Sequence, residues 1–252
     1  MRITILQQNI AWAEPEVNCS HAGKMISETP GSDIYVLPEM FSTGFAVNPN
    51  GIAESNGYSL RWMMRTAKAT AAAIVGSVAT EENGKYYNRF YFVKPDGSYT
   101  KYDKRHLFTY GGEDKEFTAG NERVVAEWKG LRILLEVCYD LRFPVWSRNR
   151  GDYDIIIYVA NWPASRKAAW DTLLRARAIE NQCFVVGVNR VGVDRVCSYS
   201  GGSAIINAYG ETIADCENDR ECVATADINV HSLQAFRKKF PVLNDADAFT
   251  LG

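Results

Sequence analysis

Short runs of β-branched and aromatic residues alternate with helical patterns along the chain, and this alternation restricts the fold more than any other feature. Apolar residues repeat at i, i+3 and i+4 over 60–71 and 170–178, which predicts two helices with one buried face each. Turn sequences at 95–98 and 207–210 separate strand candidates and predict partly antiparallel pairing. The sequence therefore predicts an α/β chain with a mixed sheet and helices outside it. The predicted strands are 3–6, 34–37, 74–78, 86–93, 132–137, 155–159, 184–189, 203–207 and 223–227.

One domain is expected, because the 252 residues contain no internal repeat, low-complexity tract or linker-like shift in composition. Two segments rich in glycine, asparagine and proline, 42–58 and 108–120, are predicted to be long functional loops. Beyond residue 228 the pattern becomes irregular and mixed in charge. We expect residues 228–252 to form a C-terminal tail that packs on the body or on a partner subunit.

Charge and hydropathy exclude several classes of partner. The chain has 28 Lys and Arg against 30 Asp and Glu and no long basic run, so binding to nucleic acid or to an anionic membrane is not expected. Its longest apolar runs, such as 155–160, are too short to cross a bilayer, and the first residues have the pattern of a strand rather than of a secretory leader. A small-molecule partner and a cytoplasmic location are expected.

Reactive side chains and absent motifs narrow the chemistry. The six cysteines show neither a C-x-x-C pair nor zinc-ligand spacing, which favours reduced thiols. Glycine-rich nucleotide loops, the G-x-S-x-G elbow and the H-E-x-x-H pair are absent, which weakens the nucleotide, serine hydrolase and zinc hypotheses. His106 could form a dyad with Cys138, although a structural or solvated histidine is favoured.

Three chemically competent residues, Glu39, Lys104 and Cys138, each follow a predicted strand directly, and the strand before Lys104 is a further candidate at 99–103. Ligands of α/β sheets bind at the carboxyl ends of strands, which makes these positions candidates for one site. Each residue alone also fits a solvated charge or an inert buried thiol. Together they supply a base, a cation and a nucleophile for hydrolysis of a carbon–nitrogen bond, with the Tyr139 backbone N–H as a second donor to the oxyanion.

The segments around these residues resemble the nitrilase, or carbon–nitrogen hydrolase, superfamily. The resemblance rests on Leu-Pro-Glu-Met-Phe at 37–41, Tyr-Asp-Lys-Arg-His-Leu at 102–107 and Val-Cys-Tyr-Asp-Leu-Arg-Phe-Pro at 137–144, and it runs nearly end to end. It implies a Glu-Lys-Cys catalytic triad and a single domain with the four-layer α-β-β-α sandwich of the nitrilase type. It further implies a homodimer that needs no cofactor and no metal.

The same resemblance implies a second active-site carboxylate, which orients the lysine and helps to position substrate. In the family this residue lies shortly before a Pro-Gly pair. Glu113 stands at that place here, with Ala119 instead of the proline, and Glu116 is the alternative assignment. The alternative interpretation is that Glu113, Asp114 and Glu116 form a solvated acidic loop.

Within the superfamily, residues 40–45, 161–163 and 240–249 look like the omega-amidase branch. Enzymes of that branch hydrolyse the terminal amide of 2-oxoglutaramate or 2-oxosuccinamate to the 2-oxo acid and ammonia. Alternatives with the same triad are another short aliphatic amidase, an N-carbamoyl-amine hydrolase and a deaminated-glutathione amidase. A catalytically silent binding protein and a thiol redox sensor using Cys138 are alternatives of another class.

A 2-oxo acid carries a carboxylate, so its pocket should contain a cation and apolar walls. Arg142 and Arg166 are the candidate partners of the carboxylate, and Phe45 and Trp162 are candidate walls. Pairing of Arg142 with a structural acid such as Asp140 is an equally good interpretation. Arg166 could equally be a solvated residue at a helix start.

Two positions depart from the expected pattern. Glu136 lies two residues before Cys138 on the same predicted strand, so both side chains should face one side, and a paired or tilted Glu136 is expected. Gly201-Gly202-Ser203 stands where many relatives carry a bulkier or charged residue before the serine. This second departure is a candidate change in a neighbouring wall of the site.

Overall fold

The computed structural model describes residues 1–251, and its strands form two six-stranded sheets with a two-stranded ribbon beside them. The first sheet contains β1 (Arg2–Gln7), β2 (Ile34–Val36), β3 (Ala73–Glu82), β4 (Lys85–Val93), β5 (Tyr99–Asp103) and β14 (Cys222–Asp227). In space these strands follow the order β14-β1-β2-β3-β4-β5. The β1-β2 and β2-β3 pairs are parallel, and the outer pairs are antiparallel.

The second sheet contains β6 (Val125–Trp128), β7 (Leu131–Val137), β8 (Ile155–Ala160), β9 (Phe184–Asn189), β12 (Ala204–Ile206) and β13 (Thr212–Asp215). Their order is β13-β12-β9-β8-β7-β6, with β7, β8 and β9 parallel to one another. The ribbon pairs β10 (Val191–Val193) with β11 (Ser198–Ser200).

The helices follow from local sequence signals and lie between the strands. They are α1 (Pro15–Ser27), α2 (Tyr58–Thr70), α3 (Glu113–Glu116), α4 (Pro144–Ser147), α5 (Lys167–Asn181) and α6 (Val230–Lys239). Proline stands in the first turn of α1 and α4, where its missing N–H leaves no hydrogen bond unmade. No described helix is both long enough and apolar enough to cross a membrane.

The side-chain alternation of the strands separates two kinds of core. Ile133, Leu135 and Val137 of β7 point into the apolar layer shared by both sheets, whereas Leu134 points outward to the layer beneath α5. A third apolar cluster joins the other face of the first sheet to α1 and α2. Helices therefore cover the outer face of each sheet, and the expectation of a four-layer α-β-β-α sandwich is confirmed.

Strands and helices with strong sequence patterns were predicted correctly, whereas several elements with weak patterns were not predicted. All nine predicted strands are present, with ends that differ by a few residues, and the two predicted helices correspond to α2 and α5. The pattern did not predict α1, because its apolar stripe is interrupted by Asn18 and Gly23. It also missed β6, β10, β11 and β13, which are three- or four-residue strands with mixed exposure.

The segment after residue 228 is more regular than its sequence pattern indicates. Asn229 accepts hydrogen bonds from the N–H groups of His231 and Ser232 and so caps the start of α6, where an irregular chain was expected. Leu233 is buried against the core shared by the sheets. Arg237 donates to an Asp154 carboxylate oxygen at 2.9 Å, which ties α6 to the body of the same chain.

Gly120 packs against the backbone of Asp103 and Lys104, and a substitution at Gly120 tests how tight this packing is. Its N–H donates to the Lys104 carbonyl at 2.9 Å, and a Cβ at this position would overlap the Asp103 carbonyl oxygen. We expect Gly120→Ala to lower the free energy of unfolding by about 1–3 kcal/mol in urea denaturation. Gly23→Ala in α1 is the matched control, since its Cβ meets only ordinary contact, and it should leave stability unchanged or raise it. Equal midpoints for the two variants would contradict this account of the packing.

Candidate active site

Glu39, Lys104 and Cys138 line one cavity of about 390 Å³ at the carboxyl ends of strands from both sheets. Glu39 follows β2, Lys104 follows β5 and Cys138 follows β7. The strands β2 and β5 point the same way, because two antiparallel steps separate β5 from β3. The topology thus brings together three residues that lie far apart along the chain.

The Lys104 ammonium lies between two buried carboxylates. Its Nζ donates to Glu39 Oε1 at 3.0 Å and to Glu113 Oε2 at 2.8 Å, and all three side chains are at most 1% exposed. Burial alone would lower the pKa of Lys104, but the attraction of Glu113 and Glu39 outweighs it and raises that pKa above its ordinary value. The lysine is therefore a fixed positive charge at neutral pH.

Two asparagines complete the hydrogen bonding of this cluster. The Asn88 side-chain amide on β4 donates to Glu39 Oε1 at 2.7 Å and to Glu113 Oε1 at 3.1 Å. The backbone N–H of Asn161 donates to the other Glu39 oxygen at 2.7 Å, which joins the two sheets. Neither asparagine was predicted from the sequence to take part in the site. A buried amide in the apolar run of β4 was the available signal for Asn88, since buried polar groups need partners.

Glu113 begins α3 and is the acidic residue of its loop that reaches Lys104. The N–H of Phe108 donates to Glu113 Oε2 at 2.6 Å, which fixes the carboxylate against the lysine. Burial and the neighbouring Glu39 charge raise the pKa of Glu113, while Lys104 opposes that shift. Glu116, the alternative assignment, is exposed to solvent on the same short helix.

Cys138 occupies a strained turn directly after β7. Its φ of 46° lies in the left-handed region, which costs free energy for a residue with a side chain and is typical of functional sites. Burial and then the charge of Glu39 raise the pKa of its thiol well above the usual range, with Lys104 opposing. The thiol is therefore neutral until a base removes its proton.

Asp140 holds this turn in place. Its Oδ2 accepts the Val137 N–H at 2.9 Å and the Tyr102 hydroxyl at 2.8 Å, while Oδ1 accepts the His106 backbone N–H at 3.0 Å. The His106 ring lies 2.8 Å from the same oxygen and does not line the cavity, so the structure does not support a dyad of His106 with Cys138. These contacts occupy the Asp140 carboxylate, and Arg142 does not pair with it.

The proposed binding residues lie in the wall of the same cavity. Arg142 stacks over the Trp162 ring at 4.9 Å, and Arg166 stacks over the Phe108 ring at 5.2 Å. Neither guanidinium pairs with a carboxylate of the described chain. Phe45 also lines the cavity, with its ring 5.4 Å from the Lys104 ammonium. The wall therefore combines aromatic faces with two positive groups that are available to a ligand.

Glu136 does not line the cavity that contains Cys138, and of the two alternatives expected for it, paired or tilted, pairing is not observed. The left-handed turn at Cys138 breaks the alternation of β7, and Glu136 instead lies beside Tyr158 in the layer under α5. Both carboxylate oxygens are buried without a hydrogen-bond partner among the described residues. Burial and the charge of Asp140 raise the pKa of Glu136 well above its ordinary value near 4.5, which favours the neutral acid in the fold.

The second departure, Gly201-Gly202-Ser203, lies away from the catalytic cavity. Gly202 and Ser203 line a separate surface pocket beside Asp171 of α5. None of the three residues lines the catalytic cavity, so the candidate change in a wall of the site is not observed: Gly202 faces Asp171 of α5, and the Ser203 N–H donates to the Gln7 side chain at 3.0 Å. Among the cysteines, Cys138 lines the cavity beside Glu39 and Lys104, whereas Cys183 and Cys216 are buried free thiols in the core.

Among residues 1–251, no group of three or more His, Cys, Asp or Glu side chains is placed to hold a metal ion. The cluster described above contains two carboxylates and an ammonium that already neutralise much of one another's charge. In this arrangement the Glu39 carboxylate can accept a thiol proton, and the Lys104 ammonium can stabilise an oxyanion that develops beside Cys138.

A family model described as carbon–nitrogen hydrolase matches residues 2–238 of the chain. The protein belongs to the carbon–nitrogen hydrolase family. Among curated relatives, it is 46% identical to omega-amidase YafV of Escherichia coli K12 over all of this chain and 98% of that protein. It is 35% identical to the 2-oxoglutaramate amidase of Bacillus subtilis over 96% of each. The predicted resemblance to the omega-amidase branch is thereby confirmed.

A solved structure agrees with these matches. The crystal structure of XC1258 from Xanthomonas campestris is described as a CN-hydrolase superfamily protein with an arsenic adduct in the active site. It superposes with a TM-score of 0.97 at 43% identity, over all of this chain and 99% of that one. The nitrilase-type sandwich is therefore shared over the full length.

The buried acid Glu136 generates a prediction about stability and pH. Its pKa is raised in the fold, so above pH 4.5 the unfolded chain loses this proton while the folded chain keeps it, and stability falls as pH rises. Glu136→Gln cannot lose this proton, so its free energy of unfolding should increase relative to the wild type as pH rises. The increase is up to about 1.4 kcal/mol for each pH unit between pH 4.5 and the pKa of Glu136 in the fold. Urea denaturation at pH 5 and pH 8 measures the difference. The exposed Glu127→Gln on β6 is the control, and equal pH dependence of the two variants would refute the assignment.

Proposed function

We propose that the protein is an omega-amidase, which hydrolyses the terminal amide of 2-oxoglutaramate or 2-oxosuccinamate to the 2-oxo acid and ammonia. The observation that carries the proposal is the buried thiol of Cys138 beside Glu39, whose carboxylate is held by Lys104. The two unpaired arginines in the cavity wall supply the complementary charge for an acid substrate. The 46% identity to omega-amidase YafV supports the same conclusion.

In the first half-reaction, Cys138 attacks the amide carbon while Glu39 accepts the thiol proton. A carbon–sulfur bond forms, and the carbonyl electrons move to the oxygen. The Lys104 ammonium and the Tyr139 backbone N–H stabilise this oxyanion, and one such donor typically contributes about 3 kcal/mol. Because the raised thiol pKa leaves little thiolate at neutral pH, attack depends on proton transfer to Glu39.

The tetrahedral intermediate then loses its nitrogen. The oxyanion re-forms the carbonyl, the carbon–nitrogen bond breaks, and Glu39 gives the proton to the departing nitrogen, which leaves as ammonia; a thioester remains on Cys138. In the second half-reaction Glu39 takes a proton from water as the water attacks the thioester. Collapse of the second intermediate releases the carboxylic acid, and the proton returns to the thiol. Glu113 keeps Lys104 in place and positions substrate.

The cavity wall accounts for the proposed substrate class. A 2-oxo acid amide carries the scissile amide at one end and a carboxylate at the other, and Arg142 and Arg166 are the partners we assign to that carboxylate. Phe45 and Trp162 form apolar walls along the short carbon chain. Such a pocket favours an anionic amide over a neutral one of the same length.

The proposal extends to how the enzyme exists in the cell. We propose that residues 1–252 act as one catalytic domain without a cofactor and that two copies form a homodimer. The free state of all six cysteines suits a reducing compartment, so we place the enzyme in the cytoplasm. These assignments follow the family resemblance and are tested by the mass of the protein in solution and by fractionation.

Removal of the nucleophile tests the chemistry. Cys138→Ala should abolish ammonia release from 2-oxoglutaramate while leaving the circular dichroism spectrum and the unfolding midpoint essentially unchanged. Cys197→Ala is the matched control, because it removes another thiol of the same cavity and should retain turnover. Persistent activity in Cys138→Ala would rule out a thioester mechanism.

Substitution of the base makes a second prediction, in which activity and thiol reactivity move in opposite directions. Glu39→Gln should lower kcat by about 100-fold to 10,000-fold, since general base catalysis contributes that much. The same change removes the charge that raises the thiol pKa, so Cys138 should be alkylated by iodoacetamide at lower pH than in the wild type. Mass spectrometry of the modified peptide, with Cys138→Ala as the blank, measures this shift. An unchanged alkylation profile would show that Glu39 does not act on the thiol.

A panel of amides separates the proposed substrate from its alternatives. The omega-amidase proposal requires kcat/KM for 2-oxoglutaramate well above that for glutamine, acetamide and N-carbamoyl amines. Activity on the neutral amides without that preference would favour a general aliphatic amidase. Oxidation of Cys138 by peroxide without any amidase activity would favour the thiol sensor.

A further inference from the structure

The ribbon formed by β10 and β11 places a third arginine at the rim of the catalytic cavity. Its tip, residues 194–197, lines the cavity together with Arg142 and Arg166, and the exposed Arg195 stands at its apex. No sequence pattern predicted a role for this segment. The ribbon therefore adds an element to the site that the triad motifs do not include.

The tip is held in one shape by Asp194. The Asp194 Oδ1 accepts the N–H groups of Val196 and Cys197, each at 2.8 Å, and its Oδ2 accepts the Tyr199 hydroxyl at 2.6 Å. The N–H of Asp194 closes the turn by donating to the Cys197 carbonyl at 2.9 Å. The Asp194 carboxylate is thus used inside the turn, and its acceptors are directed away from Arg195.

The base of the ribbon is anchored as firmly as its tip. The Arg190 guanidinium is fully buried and donates to the carbonyls of Val191 at 3.1 Å and Ile10 at 3.0 Å. It also stacks on the Tyr199 ring at 4.6 Å. Gly192 has a φ of 92°, and a Cβ there would overlap the Asn9 side chain, so the ribbon lies directly on the segment that follows β1.

Arg195 itself has no carboxylate partner among residues 1–251. Its guanidinium lies 5.7 Å from the ring of Trp12, which is another wall of the same cavity. The stack restricts the side chain to the rim without neutralising it. A rigid support and an unpaired charge facing a cavity are the features expected of a residue that meets an anionic ligand.

We propose that Arg195 is a specificity-determining residue that selects amides bearing a carboxylate at the end opposite the scissile bond. The inference rests on the proposed function and adds a residue to it: Arg142 and Arg166 receive the carboxylate from the wall, and Arg195 receives it from the rim. Its contribution appears in substrate binding rather than in the chemical step, because Arg195 lies outside the Glu39-Lys104-Cys138 cluster.

The test compares three amides of one chain length on variants of the full-length protein. 2-Oxoglutaramate carries the oxo group and the carboxylate, glutaramate carries the carboxylate alone, and pentanamide carries neither. Arg195→Met removes the charge but keeps an unbranched chain over Trp12, whereas Arg195→Lys restores the charge. Arg220→Met is the control, since Arg220 is exposed, pairs with Glu217 and lies outside the cavity.

For Arg195→Met we expect KM to rise about tenfold for both carboxylate-bearing amides, with kcat nearly unchanged, because one charge-assisted hydrogen bond is lost. Its kcat/KM for pentanamide should stay within about twofold of the wild type on the same reasoning, and Arg195→Lys should recover most of the binding. Arg220→Met should behave as the wild type with every amide.

Two outcomes would overturn the inference. An unchanged KM for the carboxylate-bearing amides in Arg195→Met would remove Arg195 from selection, even if the wild type prefers 2-oxoglutaramate and the proposed function stands. Equal losses on pentanamide would show a general effect on the cavity. If the wild type instead prefers glutaramate and rejects 2-oxoglutaramate, the omega-amidase proposal fails, while the glutaramate data still decide whether Arg195 reads the carboxylate.

Discussion

The pairing of one buried ammonium with two buried carboxylates is the interaction on which the rest of the site depends. Each ion taken out of water costs several kcal/mol, and mutual attraction offsets that cost only when the remaining polar atoms are also satisfied. Lys104, Glu39 and Glu113 meet this condition through Asn88 and backbone N–H groups of Asn161 and Phe108. Removing Lys104 would leave two buried carboxylates without a counter-charge, so the lysine is the member of the cluster that the other two depend on.

This cluster also favours a neutral thiol at Cys138, the proposed nucleophile. Two carboxylates against one ammonium leave a negative field around Cys138, which together with burial disfavours the thiolate. The chemistry then requires that attack and proton transfer occur together, because Glu39 can remove the proton only as a substrate carbonyl takes up the electrons. A protein without substrate keeps a thiol of low reactivity, and the arrangement is suited to catalysis rather than to sensing oxidants.

The proposed nucleophile and its proposed base follow strands of different sheets, so the core between the sheets sets their separation. Glu39 and Lys104 follow strands of the first sheet, whereas Cys138 follows β7 of the second. Two polar bridges span the gap: the Asn161 N–H reaches Glu39, and Asp140 accepts the Tyr102 hydroxyl. Apolar side chains of both sheets fill the space behind them, and their close packing keeps the geometry constant.

The sequence predicts the fold class, the main strands and the residues at strand ends, because these depend on local periodicity. It does not predict contacts that depend on non-local geometry. Asn88 is 49 residues from Glu39, and no spacing rule connects them. Glu136 was assigned to the wrong face because strand alternation holds only as far as Val137, after which the left-handed Cys138 redirects the chain. The cap at Asn229 was a local signal for α6, but the mixed charge that follows it obscured the helix.

The distribution of charge within the cavity gives a substrate its orientation. The chain carries a formal net charge of −2, so attraction for an anionic amide comes from local groups. The acidic cluster lies at one side of the cavity, and the arginines that lack carboxylate partners lie in its wall and at its rim. Consider a molecule with a carboxylate at one end and a neutral amide at the other. Its carboxylate is repelled by the acidic cluster and attracted by the guanidinium groups of the arginines. The charges therefore favour the orientation that directs the amide carbon toward the proposed nucleophile, Cys138.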